Sequence, residues 1–169
     1  DQLPEPDLPD KPWALTGARG REKNVIRSLY IKEGQLTDHN LELLEKYEKI
    51  RQAEARCESL RCEDAEILIV AYGSSARIAR ELVLHTPDDF PTGVGLFRPI
   101  TLWPFPYEDL SATVPEVEAI LTVEMSAGQL VEDVRLATQG SCPVHLLARP
   151  GEGVPTVEQI KNKIISILD

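Results

Sequence analysis

The sequence predicts an α/β fold in which a parallel sheet lies between layers of helices. Two observations predict it. Ile67–Ala71 is a run of five apolar residues, mostly β-branched, the pattern of a strand covered on both faces. From Ile67 onward, strand-like and helix-like segments alternate as β-α-β-α-β-α-β-α to the end of the chain. That alternation implies parallel strands with helices on both sides.

Asp1 to Pro12 carries Pro4, Pro6, Pro9 and Pro12 among acids. Proline lacks an N–H and stiffens the chain, so this reads as an extended arm. We set the arm or linker at residues 1–24 and the folded domain at 25–169. Trp13 is expected to anchor the arm. Val25–Ile31 (VIRSLYI) reads as a short strand. Thr37–Arg61 reads as one long helix capped by Thr37 or Asp38. Its apolar stripe is Leu41, Leu44, Tyr47, Ile50, Ala53, Cys57 and Leu60, recurring every three or four residues.

Tyr72 and Gly73 end the Ile67–Ala71 strand. Ser74 or Ser75 is placed to cap the next helix, which turns Ile78, Ala79, Leu82 and Val83 inward. Residues 86–92 form a loop, and Val94–Phe97 a second strand. Pro99, Pro104 and Pro106 rule out regular structure in the stretch that follows, while Trp103 and Phe105 are expected to be buried in it. Tyr107–Ala112 reads as a short helix with Pro106 at its first turn, and Val117–Val123 as a third strand. Ser126 with Gln129 matches a capping box for a helix burying Leu130, Val131, Val134 and Ala137. Val144–Leu147 is a fourth strand. Thr156 with Gln159 repeats the capping box for a last helix with Ile160, Ile164, Ile167 and Leu168 inward.

The net charge of −10 argues against a general nucleic-acid binder, which needs a basic face, and against an anionic membrane surface. No apolar run approaches the roughly 20 residues that span a bilayer. Cys57, Cys62 and Cys142 have no framework spacing, which fits reduced thiols in a cytoplasm. Three thiols of this spacing do not spell a four-thiolate metal or cluster site, so no metal site is assigned. The chain begins at Asp1 without Met and reads as a piece of a longer protein.

Ligands of open α/β sheets meet the carboxyl ends of the strands. Those ends are Gly73-Ser74-Ser75, Arg98-Pro99 and Glu124-Met125-Ser126. Helix N-termini there favour anions, so this rim either holds a phosphate or carboxylate beside Arg98, or Ser74 and Ser126 only cap their helices. Glu124 is either a buried acid or a rim carboxylate paired with Arg98 or Arg135. The nucleotide, nucleophile-elbow and zinc motifs are missing, and no catalytic residue is assigned.

The stretches GLFRPITLWPFP (Gly95–Pro106), ILIVAYGSSARIARE, LTVEMSAGQLVEDVRLA and VPTVEQI carry a resemblance. From about Trp13 to its end the chain resembles the alpha subunit of 2-oxoacid:ferredoxin oxidoreductases, in the region after the thiamine-pyrimidine-binding domain. The resemblance implies a three-layer α/β/α fold like the C-terminal domain of transketolase. Such a sheet is mostly parallel with one antiparallel strand, for which Val25–Ile31 is the natural candidate. It implies an enzyme that decarboxylates a 2-oxoacid (pyruvate, 2-oxoglutarate or a branched-chain acid) on thiamine diphosphate. The acyl group passes to coenzyme A and electrons pass through iron–sulfur clusters to ferredoxin. The cofactors would lie outside this chain, which would serve assembly. The implied partners are the other domain of the alpha subunit and the beta subunit, with gamma or delta subunits where the complex has them. Arg98, Glu124, Gln129 and Asp133 carry over as interface positions. With Ser74, Ser75 and Ser126 they make up the interface or anion-site candidates. The competing readings are a doubly wound anion or coenzyme A module, and a flavodoxin-type protein, against which the missing phosphate loop weighs.

Overall fold

The computed structural model describes residues 7–14, 17–87, 89–151 and 153–169; Pro4 and Pro6 of the arm lie outside them. Backbone proximity divides the chain into two units, Asp1–Leu44 and Glu45–Asp169. Helix α1 (Gln35–Glu54) begins in the first unit and ends in the second.

The second unit holds a five-stranded sheet of order β1-β3-β2-β4-β5. Its strands are β1 (Cys57–Leu60), β2 (Ile67–Ala71), β3 (Val94–Pro99), β4 (Ala119–Glu124) and β5 (Val144–Ala148). β2 pairs in parallel with both β3 and β4, and β4 with β5; β1 pairs antiparallel with β3. The fold is therefore a mixed α/β sheet, mostly parallel with one antiparallel pair, as the resemblance implied. Every residue of β2 and β4 is buried, which explains why β2 reads as an unbroken apolar run.

Two apolar clusters cover the two faces. On one, α2 (Gly73–Leu84) and α5 (Val157–Leu168) pack Ala79, Leu82, Val83, Ile160 and Ile164 against Ile69, Leu96 and Leu121. On the other, α3 (Tyr107–Thr113) and α4 (Leu130–Thr138) pack Leu110, Leu130, Val134 and Ala137 against Leu68, Val70, Phe97 and Ile120. Strand alternation sends odd and even positions to opposite clusters. A single turn of 3-10 helix, Val114–Glu116, leads from α3 toward β4.

The antiparallel strand is Cys57–Leu60, not Val25–Ile31, which forms no regular element. The long helix is correspondingly shorter: it starts at Gln35 and stops at Glu54. Cys57 and Leu60, three apart, share a helix face but take opposite faces of a strand. Here Cys57 packs in the α3–α4 cluster and Leu60 in the α2–α5 cluster. No residue of α1 is buried, and Leu41, Leu44 and Tyr47 stand exposed. Trp13 is exposed as well, so it does not anchor the arm by burial. Trp103 is 55 % exposed, contrary to expectation, whereas Phe105 is buried between buried Pro104 and Pro106. Leu168, the last residue of α5, is exposed, while Ile167 is partly buried.

β3 runs under the turn that joins β1 to β2. A Cβ on Gly95 would lie 2.8 Å from the Arg61 carbonyl oxygen and 2.9 Å from the Ala65 Cβ. Glycine is required there because main chain approaches main chain.

Candidate functional site

The sheet order places the crevice. α2 leaves β2 toward one face and α4 leaves β4 toward the other, and these two strands are neighbours. Their carboxyl ends therefore flank a topological switch point, where open α/β sheets bind ligands. Ser74, Ser75, Glu124, Ser126 and Gln129 all fall on these two connections.

On the β4 side the site is closed from within. Glu124 is fully buried, and its carboxylate lies across the start of α4. It accepts the main-chain N–H of Gln129 at 3.0 Å, Leu130 at 3.1 Å and Val131 at 3.2 Å. The Ser126 hydroxyl donates to the same carboxylate. The expected Ser126–Gln129 capping box is absent; Gln129 sits at the cap position without a side-chain cap bond. A carboxylate is a stronger acceptor than a hydroxyl, and the positive end of the helix favours its charge. The first N–H groups of α4, the ones a phosphate would use, are thus satisfied by the protein's own acid. The Thr156–Gln159 box, by contrast, forms in both directions, at 3.2 Å and 3.0 Å.

On the β2 side the helix end is open. α2 starts at Gly73, with φ of 57°, after an extended Tyr72 that makes no side-chain cap bond. Ser74 lies exposed in its first turn and Ser75 is buried; neither caps it.

Arg98 does not meet Glu124. It shares the sheet face of Leu96, toward α2, while Glu124 shares the face of Ile120, toward α4. Its partner is Glu58, directly opposite in the antiparallel register. Arg98 Nη1 reaches Glu58 Oε2 at 2.9 Å, and Arg80 Nη1 of α2 reaches Oε1 at 2.7 Å. The hydrogen bond from Arg80, then that from Arg98, holds the Glu58 carboxyl below its ordinary range.

Asp133 belongs to a feature not anticipated from the sequence. A cleft of about 610 Å³ opens between the last turns of α1, the loop after β3 and the first turns of α3 and α4. Arg51, Trp103, Tyr107, Glu108 and Asp133 are among its walls. The Tyr107 hydroxyl donates to Asp133. That bond, then partial burial, pushes the phenol up to about 12. Tyr47 meets Trp103 edge-on, with ring centroids 5.5 Å apart. Tyr107 and Asp133 each occupy the first turn of a helix at the carboxyl edge, the one sequence signal that links them.

Among the described residues, no group of three or more His, Cys, Asp or Glu gathers in a way that suits a metal ion. Burial raises the Cys57, Cys62 and Cys142 thiols above their ordinary range. Since no such group includes them, these three cysteines do not present the ligand set of an iron–sulfur cluster. No described helix is long and apolar enough to cross a membrane.

Comparison with known proteins gives a consistent picture. Residues 65–160 match the family model described as pyruvate:ferredoxin oxidoreductase core domain II. The chain is 39 % identical over 159 residues to the ketoisovalerate oxidoreductase subunit VorB of Methanothermobacter marburgensis, which covers 94 % of this chain and 45 % of that one. It is 30 % identical over 105 residues to the 2-oxoglutarate synthase subunit KorA of Methanothermobacter thermautotrophicus, covering 62 % of this chain and 28 % of that one. The chain thus spans less than half the length of these relatives. In fold it is similar to a solved 2-oxoglutarate:ferredoxin oxidoreductase from Magnetococcus marinus, with TM-score 0.65 and 21 % identity over 79 % of this chain and 24 % of that one.

Proposed function

The chain belongs to the pyruvate:ferredoxin oxidoreductase core domain II family, and from that premise we propose that it is this domain of the alpha subunit of a 2-oxoacid:ferredoxin oxidoreductase. The complete enzyme would decarboxylate a 2-oxoacid oxidatively, with thiamine diphosphate and iron–sulfur clusters held by other domains or subunits. It would yield an acyl-coenzyme A and reduced ferredoxin in the cytoplasm. This domain would serve assembly with the other domain of its subunit, with the beta subunit and with any gamma or delta subunit. One observation carries the reading: the family match, 65–160, begins at the approach to β2 and ends in the first turn of α5. It thus spans the whole parallel part of the sheet. Exposed Ser74, Arg98 and Gln129 are candidates for contact with those partners; buried Glu124 serves the fold.

A branched-chain 2-oxoacid is the favoured substrate class. The likeness to the ketoisovalerate subunit is higher and covers nearly the whole chain, whereas the likeness to the 2-oxoglutarate subunit covers 62 % of it. The test is to assemble the complete complex and compare ketoisovalerate, pyruvate and 2-oxoglutarate as donors for ferredoxin reduction with coenzyme A present. Ketoisovalerate should give the highest kcat/KM; activity with none of the three overturns the reading.

The second reading, an anion or coenzyme A module, rests on the open N-terminus of α2, since that of α4 is filled by Glu124. It requires phosphate or coenzyme A to raise the melting temperature of this chain alone. The assembly reading requires no such rise, and no thiamine diphosphate binding by calorimetry.

A further inference from the structure

Four large apolar side chains stand in solvent along seven residues. Val25, Ile26, Leu29 and Ile31 are 71 %, 78 %, 67 % and 83 % exposed. Among the described residues, none of residues 25–31 takes part in a main-chain hydrogen bond. The four apolar side chains and the backbone of this segment therefore lack partners that folding ordinarily supplies. The first half of α1, whose backbone is helical, repeats the side-chain exposure alone, at Leu36, Leu41 and Leu44.

The segment is nonetheless held in shape. Tyr30 stacks on His39 of α1 with ring centroids 4.7 Å apart. Just before it, Asn24 Nδ2 donates to the Pro12 carbonyl at 3.0 Å and Arg21 Nη2 to the Ala14 carbonyl at 3.1 Å. Its charge also departs from that of the chain. Residues 17–32 carry Arg19, Arg21, Lys23, Arg27 and Lys32 against one acid, Glu22, in a chain of net charge −10.

We propose that residues 25–31, with the exposed leucines of the first half of α1, form a docking arm for another folded domain of the same complete subunit. That domain would offer an apolar groove with free main-chain groups, bordered by carboxylates. β-branched and aliphatic residues with unpaired backbone suit strand addition, in which main-chain bonds hold and alternate side chains select. The surplus of basic residues selects an acidic border. The relatives supply the room for such a domain, since this chain accounts for 45 % of the VorB subunit. The inference rests on reading the chain as part of such a subunit, and adds where the joint lies.

Amide hydrogen exchange read by mass spectrometry tests it, on the complete subunit and on the 169-residue chain alone. Amides of 26–31 should exchange at least about 100-fold more slowly in the complete subunit than in the chain alone. The pair Ile26→Asp with Leu29→Asp should return them to fast exchange there, while β2 and β4 stay slow. Fast exchange of the arm in the unsubstituted complete subunit overturns the proposal. So does slowing in the chain alone as its concentration rises, which makes a second copy the occupant. Slowing of the chain alone by phosphatidylserine–phosphatidylcholine vesicles overturns it too, since the arm is then a lipid contact. Assay of the same subunit in its complex separates the two readings. A fast arm in an active enzyme sinks the joint alone; a slow arm in an enzyme inactive on all three 2-oxoacids sinks the function and leaves the joint.

Discussion

The Glu124 carboxylate at the end of β4 accepts the main-chain N–H of Leu130 at 3.1 Å, so the strand caps the helix that follows it. Replacing Glu124 with Ala strips the acceptor from three N–H groups and one hydroxyl in or near the core. We expect a loss of about 3 kcal/mol or more in denaturant melts, because buried unpaired donors are costly. Gln keeps part of the acceptor and should cost less. Millimolar phosphate should raise the melting temperature of the Ala variant and leave the parent unchanged; equal responses would show that Glu124 does not occupy an anion position.

Trp103→Ala should cost under about 1 kcal/mol, and Phe105→Ala about 3–5 kcal/mol, since exposed and buried aromatics differ in the cavity they leave. Equal losses in paired melts would contradict the opposite exposures of these near neighbours.

Tyr107→Phe removes the bond to Asp133. The folded phenol ionises at about 12, above its ordinary value of 10.0. A raised folded value means that the stability it adds is fully present below pH 10 and is lost as pH climbs toward 12. Ultraviolet titration should show one late tyrosine, absent from the Phe variant. The side chain is partly exposed, so its removal should cost under about 1 kcal/mol.

Glu58→Gln tests the tie between Arg80 and Arg98. The folded Glu58 carboxyl lies below its ordinary range. The stability it adds is therefore present above that range and lost as pH falls through the folded value. The Gln variant should lose part of the acid-side and salt dependence of the melt. The loss at neutral pH should be under about 1 kcal/mol, because the three side chains are solvent-screened.

Gly95→Ala should cost about 1–3 kcal/mol, since the added carbon overpacks against the Arg61 carbonyl. A neutral outcome in thermal melts would mean that the turn above β3 yields.

Much of this fold was legible in the sequence because periodicity survives packing. β2 and the inner faces of α2, α4 and α5 are spelled in apolar spacing, and Thr156 with Gln159 spells a cap that forms. Ser126 with Gln129 spells the same cap, yet it does not form, because Glu124 comes within reach only once β4 and α4 are packed. Cys57 and Leu60 fit a helix face and a strand equally well, so β1 was absorbed into the helix before it. The Glu58–Arg98 pair depends on register, which a single sequence does not print. Trp103 was misplaced because Pro104, Phe105 and Pro106 fill the space under the loop and leave the indole outside.

The antiparallel edge strand has a consequence for the order in which the molecule comes together. β1 precedes β2 in the chain but pairs with β3, and Glu58 finds Arg98 at a separation of 40 residues. During synthesis β1 leaves the ribosome first among the strands and waits, unpaired, until β2, α2 and β3 have followed. The β2-α2-β3 unit is the shorter loop to close and has the lower entropic cost. By loop length alone, pairing of β2 with β3 is favoured before pairing of β1, so the strand made first on that side would be the one added last.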